Sequence, residues 1–309
     1  MKYNNERTYS PTGFRVLPLV VKNLLIINIL MFVAAFTFER FNIDLTDILG
    51  LHFFKASDFR FYQLFTYMFM HANFGHLFFN MFALWMFGNT LENIWGSKRF
   101  LLFYMVCGIG AGICQEVVQY IQYATTLSNY ATVNLGNQVV PMSTYLNMMN
   151  TVGASGAIYG LLLAFGMMFP DSRIYLYFLF PIKAKWFVIG YAVLELIMGI
   201  GGADNVAHFA HLGGMLFGLI LILYWNKHGV NGPNFDLNKW KGWFWKFKNR
   251  KKYTRYEEVK DEVPRSDEDY NYQRAQKERD IDAILDKVAK NGYDSLTKEE
   301  KEFLFKNSK

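Results

Sequence analysis

The chain has 309 residues, 52% hydrophobic and 18% aromatic, with only 19% charged. Residues 227–309 hold 20 of the 32 Lys and Arg and 16 of the 26 Asp and Glu, which leaves 22 charges for residues 1–226. That is too few to solvate a domain of this size, so a soluble globular enzyme and a disordered chain are excluded. Cys107 and Cys114 share one apolar run and read as core, which excludes a disulfide scaffold. A multi-pass membrane protein with a charged tail remains. The net charge of +6 calls for no nucleic acid, because basic residues flanking membrane helices produce the same excess.

Crossing the hydrocarbon core takes roughly 20 apolar residues of helix. Six stretches qualify: 16–38, 74–94, 99–121, 153–170, 185–200 and 206–225. Lys2, Arg7, Arg15 and Lys22 flank the first, Lys98 and Arg99 separate the second from the third, and Arg173, Lys183 and Lys185 separate the fourth from the fifth. Residues 122–152 and 201–206 contain no Lys or Arg, and only the 39–73 loop, with Arg40, Lys55 and Arg60, breaks the pattern. Positive charge stays on the cytoplasmic side, so both termini are expected there. The expected organisation is a cytoplasmic tail (1–15), a membrane domain (16–226), a basic, Trp-rich juxtamembrane segment with a polar linker (227–278) and a small helical cytoplasmic region (279–309). Trp240, Trp243 and Trp245 among lysines suit a headgroup boundary. Gly292 stops the first helix of the last region, and a restart follows between Ser295 and Lys298.

Polar residues inside apolar spans are functional candidates. His76 and Asn80 lie four apart on one face of the second span. Ser155 opens the fourth, with Tyr159 one turn on, and His211 lies in the sixth, with His208 one turn before it. From the cytoplasmic ends, Asn80, Ser155 and His211 each rise ~20–23 Å at 1.5 Å per residue. In a core of ~30 Å all three reach one level, roughly 8–10 Å below the outer surface. Gly153, Gly156 and Gly160 on the fourth span and Gly213, Gly214 and Gly218 on the sixth let two backbones approach closely. His208, Glu116 and Glu195 read as satisfied hydrogen-bonding groups, and His71 and Asn73 as groups that shape their loop. No His/Cys cluster with metal-ligand spacing occurs, so no metal or other cofactor is expected.

These residues resemble the motifs of the rhomboid intramembrane serine proteases. The family's G-x-S-G stands here as Gly153-Ala154-Ser155-Gly156, its A-H-x-x-G as Ala210-His211-Leu212-Gly213-Gly214, and its H-x-x-x-N as His76 to Asn80. Glu92 with Trp95-Gly96-Ser97 also looks like the family, whereas Tyr62-Gln63 stands where many members carry Trp-Arg. The resemblance covers about 16–226. It implies an all-α, six-transmembrane-helix bundle with a cytoplasmic tail, and an endopeptidase that cuts transmembrane protein substrates. It further implies Ser155 as nucleophile, His211 as base, and an oxyanion hole from His76, Asn80 and the Ser155 N–H, with Tyr159 packed on the His211 ring. The base role fits physically, because a serine hydroxyl needs an adjacent group to take its proton. No third member stands out: Asp204 lies in an outer loop and Glu195 on another helix. The fifth helix is the expected lateral gate. The expected address is a bacterial inner membrane, and oligomeric state is not readable.

Two other classes stay open at this level. A catalytically dead relative that binds membrane helices would have lost Ser155 or His211, and both are present. A small transporter would carry inverted repeats with broken helices, and no such repeat is visible.

Overall fold

Uninterrupted apolar runs ending at Gly, Pro or charged residues become long helices, and those helices organise the molecule. The computed structural model describes residues 15–136, 138–176, 180–201, 206–228 and 267–307. Asp204, the amino-terminal tail through residue 14 and the basic, Trp-rich stretch 239–252 lie outside these residues. The chain divides into two units, 1–244 and 245–309.

In the first unit, α1 (Leu19–Glu39) follows Pro18, which leaves the first turn without a side-chain cap of its own. Glu92 supplies one from a distance: its carboxylate accepts the N–H groups of Val20 and Val21 at 2.9 and 2.7 Å and the Ser97 hydroxyl at 2.6 Å. This satisfies two of the orphan donors at a helix start. Glu92 sits on α5 (Asn89–Trp95), which continues from α4 (Phe74–Ala83) through one π turn at Leu84–Gly88. The run from Phe74 to Trp95 is therefore helical throughout. Gly96, at φ 77°, turns the chain into α6 (Ser97–Gln122).

The first loop holds α2 (Leu45–Leu49), β1 (Leu51–His52) and α3 (Gln63–Thr66). Gln63 is buried and knits it together: its Oε1 accepts from Arg60 N at 2.9 Å, and its Nε2 donates to Ile48 O and Asp58 O at 3.2 and 3.0 Å. Gln63 thus serves as a loop anchor. The third loop forms a hairpin of β2 (Thr132–Asn134) and β3 (Val139–Pro141), then α7 (Met142–Met148) and β4 (Asn150–Thr151). β4 pairs antiparallel with β1, Leu51 opposite Thr151, and stitches the two loops beside Ser155.

Next come α8 (Ser155–Met168), the hairpin of β5 (Arg173–Leu176) and β6 (Phe180–Lys183), α9 (Ala184–Gly201) and α10 (His208–Lys227). α6, α8 and α10 form the centre, and Phe100, Phe103, Cys107, Leu161 and Ile222 are buried between them. By contrast α9 buries only Ala184, Val188 and Glu195. Among the described residues, four helices, α1, α6 with its π extension to Leu127, α9 and α10, are long and apolar enough to cross a membrane; α8 is apolar but shorter.

The second unit contains α11 (Asp267–Asn291), a 3-10 turn and α12 (Lys298–Asn307). α11 begins within the segment expected as linker, because 267–280 is rich in helix formers although it lacks apolar periodicity. Gly292 at φ 78° ends it. Thr297 and Glu300 then form a reciprocal capping box: Thr297 N donates to Glu300 Oε2 at 2.7 Å and Glu300 N to Thr297 Oγ1 at 3.2 Å.

Candidate active site

Each side chain of the site is placed by backbone that has few alternatives. Gly153 lies at φ 130°, and a Cβ there would meet His76 Nε2 at 2.8 Å and Ser155 Oγ at 3.4 Å. Only glycine fits both the conformation and the space. Its N–H donates to Tyr67 O at 2.9 Å, which holds the turn that starts α8. Ser155 thus occupies the first turn of α8, where no side chain caps the helix. The first N–H groups of that turn have no partner within the helix.

On α10, His211 faces Ser155 across the glycine seam, and its Nε2 lies 2.8 Å from Ser155 Oγ. The Tyr159 ring stacks on the imidazole, centroids 4.2 Å apart and planes 4° from parallel. His76 stands on α4 against Gly153, so its ring borders the space beside Ser155. Asn73 caps α4 by accepting from His76 N at 2.8 Å, and the His71 ring meets His76 edge-on at 5.1 Å. Asn80 is buried one turn further along, and its Nδ2 has no hydrogen-bond partner among the described residues.

Two groupings of side chains here were not expected from the sequence. Glu195, read from the sequence as a satisfied hydrogen-bonding group, takes its partners from the site itself. Its Oε2 lies 2.9 Å from His211 Nδ1 and 2.6 Å from His208 Nδ1, and its Oε1 accepts the Tyr159 hydroxyl. Glu195, supplied by α9, therefore stands behind the His211 ring on its Nδ1 side. The available signal was a buried-type acid in the apolar run 185–200, which needs a partner in lipid. Second, a set of potential metal ligands exists where spacing suggested none: Glu195, His208 and His211 offer donor atoms within 4.8 Å of one another. Their facing atoms are already committed to one another, since both imidazoles address the same carboxylate oxygen. Glu116 sits elsewhere, accepting Phe54 N at 2.7 Å in the first loop.

Comparison with known proteins bears on this arrangement. A model of the rhomboid domain matches residues 58–227, more than half of the chain. The chain belongs to the rhomboid family. A second match, to a family of unknown function (DUF6576), covers residues 266–309. The rhomboid chain is similar to Rhomboid protein 1, mitochondrial, of Saccharomyces cerevisiae, at 29% identity over 52% of this chain and 40% of the relative. It is also similar to RHOMBOID-like protein 12, mitochondrial, of Arabidopsis thaliana, at 27% identity over 63% of this chain and 55% of the relative. Presenilin-associated rhomboid-like protein, mitochondrial, of Homo sapiens is 28% identical over 53% of this chain and 42% of its own length. The rhomboid chain thus spans about half the length of the curated relatives it matches. Family and apolar helices together make it a multi-pass membrane protein. The relatives are named as mitochondrial or chloroplastic, which gives no support to the bacterial inner membrane expected from the sequence.

Proposed function

We propose that this rhomboid is an intramembrane serine endopeptidase that cuts transmembrane protein substrates near their outer ends. One observation carries the reading: a serine hydroxyl and an imidazole from separate apolar helices lie 2.8 Å apart, within hydrogen-bond reach. A serine in that position can pass its proton to Nε2 as Oγ attacks the scissile carbonyl. The proton then moves from Nε2 to the leaving amine. Water hydrolyses the acyl-enzyme by the same route in reverse, and Ser155 is regenerated.

The tetrahedral oxyanion needs donors already in place. Asn80 Nδ2, buried and without a hydrogen-bond partner among the described residues, is the first such donor. The His76 ring beside Gly153 and the Ser155 N–H at the uncapped start of α8 complete the set. No metal or cofactor enters the scheme.

In this reading, six helical runs span the bilayer: α1, the continuous α4–α5, α6, α8, α9 and α10. The shorter α8 starts below the outer surface, and the third loop covers the site above Ser155. Both termini face the cytoplasm, with residues 1–15, 227–278 and 279–309 on that side. α9 buries few side chains and is suited to move aside for a substrate helix. An intact helix hides its peptide groups, so helix-weakening residues in the substrate favour cutting.

The test uses the full chain in detergent and a transmembrane substrate with a Gly- or Pro-weakened outer end. Wild type cleaves it and takes a fluorophosphonate label, and Ser155→Ala and His211→Ala do neither. Equal cleavage by wild type and Ser155→Ala would remove the assignment.

A further inference from the structure

We propose that Glu195 is a positioning residue that turns the Ser155–His211 pair into a triad. The proposal deepens the protease reading and rests on it. A neutral imidazole carries its proton on either nitrogen, and only the Nδ1–H form leaves Nε2 free to accept from serine. Here His211 Nδ1 faces Glu195 Oε2 at 2.9 Å while Nε2 faces Ser155 Oγ at 2.8 Å. A carboxylate only accepts, so it selects the productive tautomer. It also faces the imidazolium that forms when Ser155 gives up its proton. Throughout, Glu195 exchanges no proton: the proton travels from Oγ to Nε2 and on to the leaving amine.

Glu195 is itself fixed from two helices. Tyr159 on α8 donates to Oε1, and His208 on α10 approaches Oε2 at 2.6 Å. These contacts set the carboxylate's position to within a narrow range. They do so on a helix that otherwise buries only Ala184 and Val188. The His211 ring is then held at its edge by Glu195 and on its face by Tyr159. His208 and Tyr159 thereby act through Glu195, a role the sequence alone did not give them.

The rival account is that Glu195 merely fastens α9 to α8 and α10. Glu195→Gln separates the two, because the amide keeps the size and can satisfy Tyr159 and the imidazoles while losing the charge. With a cleavable transmembrane substrate, Glu195→Gln lowers kcat by about 10²–10⁴-fold, in the range found for carboxylates behind catalytic histidines. KM and the thermal midpoint stay near wild type, and fluorophosphonate labelling of Ser155 slows in step with kcat. Unchanged kcat, or a loss matched by less folded protein, would overturn the proposal. If Glu195→Gln does not fold, Glu195→Asp decides: a labelling rate equal to wild type overturns it, and a slowed one supports it. Ser155→Ala keeps the two levels apart. Cleavage by that variant defeats the protease reading, whereas an inactive Ser155→Ala beside a fully active Glu195→Gln defeats only the role of Glu195.

Discussion

Gly214 of α10 stands in backbone contact with Gly156 of α8: a Cβ on Gly214 would lie 1.8 Å from the Gly156 carbonyl oxygen. The obstructing atom is main chain and cannot rotate away. Gly214→Ala must therefore push the two helices apart, and the 2.8 Å Ser155–His211 hydrogen bond spans that same seam. A displacement on the order of 1 Å costs about 10²-fold in rate. We expect Gly214→Ala to lose at least that much activity and to lower the thermal midpoint. Gly218→Ala provides the contrast, because its Cβ would meet Phe103 Cζ and Cys107 Sγ at 3.1 and 3.2 Å. Those side chains can shift, so a smaller loss is expected. Equal losses at the two positions would break the argument.

Asn80 presents the opposite case, a residue whose removal harms rate rather than fold. Its Nδ2 is buried and unpaired among the described residues. An unpaired buried donor is a cost to the folded state, which substitution relieves. Asn80→Ala should leave the thermal midpoint unchanged or slightly raised, while kcat falls about 10²–10³-fold, the usual loss for one oxyanion donor. KM should change little, because the bond forms only as charge develops. A full-rate Asn80→Ala enzyme would remove Asn80 from the oxyanion hole.

Glu92 predicts the reverse pattern again. Its carboxylate is buried and accepts from Val20 N, Val21 N and Ser97 Oγ. Glu92→Ala strands the two amides at the start of α1 and the Ser97 hydroxyl at the start of α6. Leaving buried donors unsatisfied costs about 1–3 kcal/mol each, so the whole cap is worth roughly that range or more. Denaturation should show a clear loss of stability, while kcat per folded molecule stays close to wild type. Loss of kcat without loss of stability would assign Glu92 to the chemistry instead.

The approach of His211 to Ser155, with His76 beside Gly153, was legible in the sequence because spacing along single helices fixes face and depth, and both are local properties. Glu195 was not, because which face of α9 meets α10 depends on how the helices are rotated against each other. That information resides in packing, and the sequence offers only the clue of a lone acid in an apolar run. The β1–β4 pairing joins His52 to Asn150 across nearly a hundred residues and two-residue strands, too short to carry an alternating pattern. The helices themselves read well because long apolar runs leave few alternatives. The start of α11 at Asp267 was missed because apolar periodicity begins only near Ile281, and charged helix formers extend the helix toward its amino end without adding to that signal.

His71 supplies the last prediction, and its sign follows from burial. It is 3% exposed in the first loop, outside the helical runs. Burial, followed by the neighbouring His76, pushes its pKa down to about 4. The unfolded chain binds a proton at His71 near pH 6.5, the ordinary value, whereas the folded protein does not until about pH 4. Between those limits the unfolded state holds more protons, so stability is full above pH 6.5 and falls as the pH drops toward 4. The gap corresponds to a loss of about 3 kcal/mol. Thermal midpoints measured in one detergent from pH 7.5 to 4 should decline across this window. His71→Phe keeps an aromatic ring but cannot take a proton, and it should flatten the part of the decline that His71 causes. If wild type and His71→Phe fall in parallel, protonation at His71 is not what weakens the fold in acid, and the titration belongs to other groups.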